Sequence, residues 1–180
     1  MKKLLVVLFV VFIPLTSCEK TELPDITEEG NNTFGMLVNG EVWTPHAPFS
    51  SALKLSVGYS PFFQQLHIGA YNSRRREKLA FYFSDIVGHG DYFFACGPLF
   101  PDMSVADENF NYCSTRFNKG TDEPYDPKNE FVLFNRNESN LNIIKLDTIN
   151  KIISGTFSVN LHNFDGDVLE ITNGRFDVKY

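Results

Sequence analysis

An all-β fold, either an antiparallel β-sandwich or a partly closed barrel of about ten short strands, follows from three features of the 180-residue chain. Apolar residues recur at every second position through much of it, the spacing of half-buried strands. Asn-Gly and Asp-Gly pairs punctuate these runs, and both supply the positive φ that tight hairpins need. No segment carries the sustained 3.6-residue period of a long helix, so the crossover helices of a parallel sheet have no candidate.

The first hairpin is read from Gly35-Met36-Leu37-Val38 and Glu41-Val42-Trp43-Thr44, which flank Asn39-Gly40. Asn-Gly between short apolar runs predicts a type I′ turn. Leu66, Ile68 and Ala70 then alternate with Gln65, His67 and Tyr71, and Leu79, Phe81 and Phe83 with Ala80, Tyr82 and Ser84. Further runs lie at Tyr92 to Cys96, Phe110 to Phe117, Phe131 to Phe134 and Leu141 to Leu146, separated by turn-forming pairs such as Gly97-Pro98 and Asp126-Pro127.

The C-terminal third permits a register argument. Ile153, Gly155, Phe157, Val159 and Leu161 share one face of a strand. A three-residue loop, Phe164-Asp165-Gly166, sets Leu161 opposite Leu169 and Val159 opposite Ile171, whereas a two-residue loop would oppose Leu161 to Glu170. The longer loop is expected, with Gly166 in the left-handed conformation. If Asn173-Gly174 forms a second tight turn, Ile171 meets Phe176, Leu169 meets Val178, and Glu170 faces Asp177 on the outer face.

The N-terminus has a different character. Lys2 and Lys3 precede an apolar stretch from Leu4 to Leu15, which Pro14 interrupts short of the length of about 20 residues that a spanning helix needs. Residues 1–17 are therefore expected to be a signal peptide. Leu15-Thr16-Ser17-Cys18 resembles a bacterial lipobox, and that resemblance implies cleavage before Cys18 and acylation of its sulfur and new N-terminus. Residues 18–32 read as a lipidated cysteine and a flexible acidic tether, and residues 33–180 as a single β-rich domain whose eighteen Phe suffice for a core. Glu19-Lys20-Thr21-Glu22 loosely resembles the acidic surface-export signal of some lipoproteins, so the membrane face stays open between periplasm and surface. The localisation implied is the cell envelope, at the outer membrane.

Loss of the two leader lysines moves the formal charge from −6 to −8. So acidic a chain lacks the basic footprint that nucleic acid demands. Its partners are instead a membrane, reached through the anchor, and a glycan or another envelope protein. With Cys18 acylated, Cys96 and Cys113 form an even pair in an oxidising compartment, which makes them disulfide candidates; two buried thiols are the plainer alternative.

Val38-Asn39-Gly40-Glu41-Val42-Trp43 at the start of the domain, with Ile153-Ser154-Gly155-Thr156-Phe157 and Ile171-Thr172-Asn173-Gly174-Arg175-Phe176-Asp177 at its end, is similar to small Bacteroidota lipoproteins of unknown function. Those open with V-N-G-x-x-W and close with G-x-F and I-T-x-G-R-F-D. The resemblance implies an exported β-rich lipoprotein and carries over no catalytic or binding residue. It brackets the domain and leaves the stretch from Pro48 to Asn129 unmatched.

Candidate site residues are few. Arg74, Arg75 and Arg76, with Lys78, form the one basic cluster, read either as a solvated hairpin tip or as a docking point for an acidic glycan or lipid phosphate. Glu170 and Asp177, if paired, could share a proton or hold a cation; Arg175 and Lys179 beside Asp177 favour a plain charge lattice. Trp43 could stack on a sugar, although packing beside its hairpin is the simpler role. Tyr92-Phe93-Phe94, Phe100 and Phe110-Asn111-Tyr112 could line a cleft or fill a core. Asp165-Gly166-Asp167 lacks the further ligands of a calcium loop and reads as a turn.

His46, His67, His89 and His162 stand apart without zinc spacing, no G-x-S-x-G frames a serine, and no cofactor motif is present. Asp147-Thr148-Ile149 resembles the short D-[ST]-[apolar] sequence that Bacteroidota glycosylate. These observations favour a lipid-anchored, non-catalytic binding or structural module. An accessory glycan-binding lipoprotein is the alternative, and a hydrolase whose site is invisible in sequence the third reading.

Overall fold

The computed structural model describes residues 22–47, 54–94, 115–120 and 127–180. They form a nearly all-β structure, an antiparallel sheet curled strongly into a half-barrel. The strands are β1 (Thr33–Val38), β2 (Glu41–Trp43), β3 (Leu55–Ser60), β4 (Gln65–Asn72), β5 (Glu77–Phe83), β6 (Gly90–Tyr92), β7 (Arg116–Lys119), β8 (Glu130–Val132), β9 (Ser139–Asp147), β10 (Ile152–His162) and β11 (Val168–Lys179). Their order across the sheet is β2-β1-β11-β10-β8-β7-β5-β4-β3, with β9 also on β10 and β6 on β9.

The extra strand β9 continues the line of β8. Along one edge of β10, Val132 of β8 faces His162 and Ser139 of β9 faces Val159, so β8 and β9 occupy one line. The residues between them, including the 3-10 turn Arg136–Glu138, leave the sheet and return. On β5, Phe94, just past β6, bridges Phe83, and Arg116 of β7 faces Ala80.

Strand directions place the β3–β4 turn, the β9–β10 turn, the start of β1 and the end of β11 at one end of the half-barrel. The Asn39-Gly40, Ser73–Arg76 and β10–β11 turns lie at the other. A contact at each end draws the two sides of the sheet together. At the first, the Tyr59 ring of β3 packs edge-on against Tyr180, 5.2 Å between centroids. At the second, His46, beyond β2, bridges Asn72 at the end of β4.

The concave face holds one core. Alternation in β4 and β5 buries Leu66, Ile68, Ala70, Leu79, Phe81 and Phe83, as their period-two pattern predicts. Phe157 of β10 sits at the centre, with ring centroids of Phe81, Phe34, Phe94 and Phe176 at 5.2, 5.6, 6.2 and 6.4 Å. Its ring lies where Gly174 would carry a Cβ, with ring carbons 2.4–2.5 Å from that position. Only a residue without a side chain fits there.

Two turns match the sequence reading. Asn39 and Gly40 both have positive φ, 50° and 82°, and Val38 pairs with Glu41. At the β10–β11 connection Leu161 pairs with Leu169 and Val159 with Ile171, and Gly166 is left-handed at φ 89°. The Asn163 side chain accepts hydrogen bonds from the Asp165 and Asp167 amides, so Asp165-Gly166-Asp167 is a turn.

Two expectations are corrected. The Asn173-Gly174 pair makes no hairpin: β11 runs unbroken from Val168 to Lys179, paired with β10 on one edge and β1 on the other. Left-handed Asn173 lies within a bulge, where β11 spends three residues against two on each neighbour. Turning there would have forfeited the β1 pairing. Glu170 consequently faces Asn160, while Asp177 faces Ser154 and Thr33, so the proposed carboxylate pair does not exist.

The second correction concerns the tether. Over its described part this segment is fastened to the sheet rather than loose. Thr27 Oγ1 and the Glu29, Gly30 and Asn31 amides donate to the Asp177 carboxylate at 2.6, 3.1, 2.7 and 3.2 Å. Pro24 packs over Gly35, where a Cβ would meet its ring at 2.5 Å, and its carbonyl accepts from Arg175.

Candidate functional site

A recess of about 530 Å³ opens at the end of the half-barrel that carries the β4–β5 turn, lined by Glu41, Val42, Thr44, His46, Asn72, Arg74 and Arg75. Its wall is built by Asn72, the last residue of β4, which is buried. The Asn72 Oδ1 accepts from the Arg74 and Arg75 amides, both at 3.0 Å, and its Nδ2 donates to the Thr44 carbonyl at 2.8 Å. One side chain thus sets the arginine turn and ties it to the strand exit opposite.

His46 completes the frame. Its amide donates to the Tyr71 carbonyl and its carbonyl accepts from the Ser73 amide, each at 2.9 Å. Arg75 reaches back across the mouth, donating to the Val42 carbonyl at 3.2 Å and lying 3.5 Å from a Glu41 oxygen. Both side chains of that ion pair are substantially exposed, so the pair positions Arg75 and adds little stability. Arg74 and Arg76 are exposed on the same turn.

Below this rim the candidate Trp43 is fully buried, in edge contact with Phe34 and Phe117, and is a core residue rather than a sugar platform. Its Nε1 donates to Glu77 Oε2 at 2.7 Å. Burial raises the Glu77 carboxyl above the ordinary glutamate range, against the Trp43 hydrogen bond and the charges of Arg75 and Lys119. A folded-state value above the unfolded one means that stability is lost as pH rises through it. Glu77→Gln keeps an acceptor for Trp43 and removes the half-buried charge, so it should be at least as stable as the parent at pH 7 and flatten the acid-range dependence. Urea unfolding at pH 4 and 7 tests this; a variant clearly weaker at pH 7 would contradict it.

His46 Nδ1 and Ser73 Oγ lie 2.9 Å apart, a nucleophile-and-base pairing that the sequence could not reveal because the residues meet only through the bridge between His46 and Asn72. The geometry differs from that of a serine triad. In a serine triad the hydroxyl meets Nε2 while a carboxylate holds Nδ1; here Nδ1 takes the hydroxyl, and no carboxylate among the described residues hydrogen-bonds His46. His162 does meet a carboxylate, Glu138 at 2.7 Å, and packs beside Phe134.

The other sequence candidates scatter. Glu170 is exposed next to the Asn39 turn, whose side chain accepts from the Glu170 amide. Asp177 is inaccessible to solvent beneath residues 27–31. Phe94 is in the core, Tyr92 half-buried and Phe93 partly exposed, while Phe100, Phe110 and Tyr112 lie outside the described residues, as do Cys18, Cys96 and Cys113. Thr148 and Ile149 are exposed in the β9–β10 turn, which Asp147 caps by accepting from the Ile149 and Asn150 amides. Among the described residues no three His, Cys, Asp or Glu side chains gather as metal ligands.

Fold and recess together define an all-β half-barrel with a polar, arginine-rimmed concavity at one end. Comparison of the chain with protein-family models, curated proteins and solved structures returns no match.

Proposed function

We propose that this chain is a lipid-anchored protein of the cell envelope, held at the outer membrane through Cys18, that binds a partner at the arginine-rimmed recess without catalysing a reaction. The observation that carries the binding reading is the preset wall. Asn72 and His46 fix the turn through five hydrogen bonds before any ligand arrives, so little conformational entropy remains to be lost on binding. Among the described residues the lining offers two guanidinium groups, that of Arg75 paired with Glu41, the imidazole of His46 and an amide, but no Phe, Tyr or Trp on which a neutral sugar could stack. That chemistry suits an anionic group, as on an acidic glycan or a phosphorylated envelope component. The anchor reading rests on Leu15-Thr16-Ser17-Cys18, and the kinship with small Bacteroidota lipoproteins on the flanking motifs.

Replacing Arg74, Arg75 and Arg76 together by serine should lower retention on acidic-glycan and envelope-lipid arrays about tenfold or more, the effect of losing one or two charge-assisted contacts. Unchanged retention would remove the recess from consideration. Intact mass of the envelope-extracted protein should give Cys18 as the first residue, carrying its acyl groups, and Cys18→Ala should abolish that modification.

A further inference from the structure

We infer that the recess end of the half-barrel faces the bilayer that holds Cys18, and that the anionic group taken by Arg74 and Arg75 is the phosphate of a lipid headgroup in that membrane. The inference rests on the anchored, recess-binding reading above and adds to it a ligand class and an orientation.

The N-terminal segment supplies the orientation. Thr27 and the Glu29, Gly30 and Asn31 amides are fastened to Asp177 of β11. Pro24 lies over Gly35 of β1, and its carbonyl accepts from Arg175, the residue with which Gly35 pairs. Arg175 stands two residues nearer than Asp177 to Val168, where β11 starts at the recess end. Traced back toward Cys18, the chain therefore climbs across β1 and β11 toward the recess.

Covalent length then sets how far the anchor extends. Six residue steps join Cys18 to Pro24, a reach of at most about 20 Å. Four steps of β1 and its turn lead from Gly35 to Asn39, about 13 Å, and Asn39-Gly40 runs directly into Glu41 on the recess rim. A bilayer at the recess end is thus within reach of Cys18 along the direction that the segment already follows. At the Phe62 end it would require the chain to double back past Asp177.

The side chains at the recess end suit a headgroup layer. Arg74 and Arg75 line the recess, and Arg76 is exposed on the same turn. Guanidinium groups meet phosphate oxygens through paired hydrogen bonds, and a basic residue near an anionic leaflet is worth about 1 kcal/mol. Two nearby carboxylates are answered within the protein, Glu41 lying 3.5 Å from Arg75 and Asp165 3.3 Å from Lys128. The β10–β11 turn at the same end presents Phe164 and Val168, each 51% exposed, with the Phe134 ring 6.3 Å from that of Phe164. Basic residues beside exposed phenylalanines are the composition that seats at the headgroup and acyl boundary.

The test uses the acylated full-length product in vesicles of phosphatidylethanolamine and phosphatidylglycerol, with Cys18 acylation first established by intact mass. Two single variants each add an indole, Phe164→Trp at the recess end and Phe62→Trp at the opposite end, while buried Trp43 supplies a constant background and a check on folding. The expected result is Phe164→Trp emission quenched by lipids brominated on their acyl chains and shielded from iodide, with Phe62→Trp open to iodide and untouched by bromolipid. The reverse pattern overturns the orientation, and so does iodide access at both positions. Replacing Arg74, Arg75 and Arg76 by serine in the Phe164→Trp protein should cut its bromolipid quenching about fivefold or more, as should vesicles of a neutral galactolipid, which carries no phosphate. Unchanged quenching in either case overturns the phosphate assignment. Loss of acidic-glycan retention in the arginine variant, with Phe164→Trp unquenched, overturns the lipid ligand and leaves the recess reading standing. A mass without acylation overturns the anchor reading itself and is read apart from the fluorescence.

Discussion

Asp177→Ala is expected to lower the stability of the domain by about 3–5 kcal/mol, the range for leaving buried polar partners of a charge unmatched. The carboxylate accepts four hydrogen bonds, three from backbone amides that no other side chain reaches. Without it, Glu29, Gly30 and Asn31 either bury unsatisfied donors or swing away from β11. Equilibrium urea unfolding gives the magnitude, and a loss below about 1 kcal/mol would mean that the segment contributes little.

Asp177→Asn should fall between the two, since one amide oxygen replaces two carboxylate oxygens. Burial alone would raise the Asp177 carboxyl, but the hydrogen bonds from Thr27, Asn31, Gly30 and Glu29 outweigh it and hold the group below the ordinary aspartate range. A depressed folded-state value means a contribution fully present above the unfolded value of about 3.9 and lost as pH falls through the folded one. The parent should therefore weaken in acid more steeply than Asp177→Asn, opposite in sign to the contribution of Glu77.

The second large effect is at Phe157. Truncation to alanine removes a ring packed against four other aromatic side chains and should cost about 3–5 kcal/mol. Gly174 gives this a sharper form. In the parent, Gly174→Ala drives a methyl into the Phe157 ring and destabilises; in the Phe157→Ala background the same methyl enters the space vacated and should cost much less. Equal costs in both backgrounds would show that the glycine answers to its backbone rather than to the ring.

Much of the fold is legible in the sequence because half-buried strands carry their period openly, as in Leu66-Ile68-Ala70 and Leu79-Phe81-Phe83. The β10–β11 register follows from apolar matching at Leu161 and Val159. The Asn173-Gly174 error has a definite cause: the dipeptide serves a bulge as well as a hairpin, and only β1 on the far edge of β11 decides between them. β3 carries only a weak signal: Leu55, Val57 and Tyr59 alternate, but Ser56, Gly58 and Ser60 leave it weakly apolar.

The site was less legible. The arginine run was visible, but its turn is shaped by Asn72, and its opposite wall comes from Thr44 and His46, some 28 residues earlier in the chain. Pairings of that range depend on the curl of the sheet. Asp177 looked like a solvated charge because its alternation with Phe176 and Val178 places it on the outer face; the polar segment that covers it carries no periodic signal.

The broken line of the sheet has a consequence for how this scaffold can change. The excursion between β8 and β9, residues 133–138, leaves the line beside β10 at Val132 and rejoins it at Ser139. It behaves as a parenthesis in a sentence whose grammar is complete without it. Lengthening such an excursion adds loop-closure entropy only logarithmically, about 0.6 kcal/mol per doubling. Relatives of this chain would be expected to vary in length there, and a peptide or reporter inserted between Leu133 and Glu138 should leave the nine-line half-barrel standing.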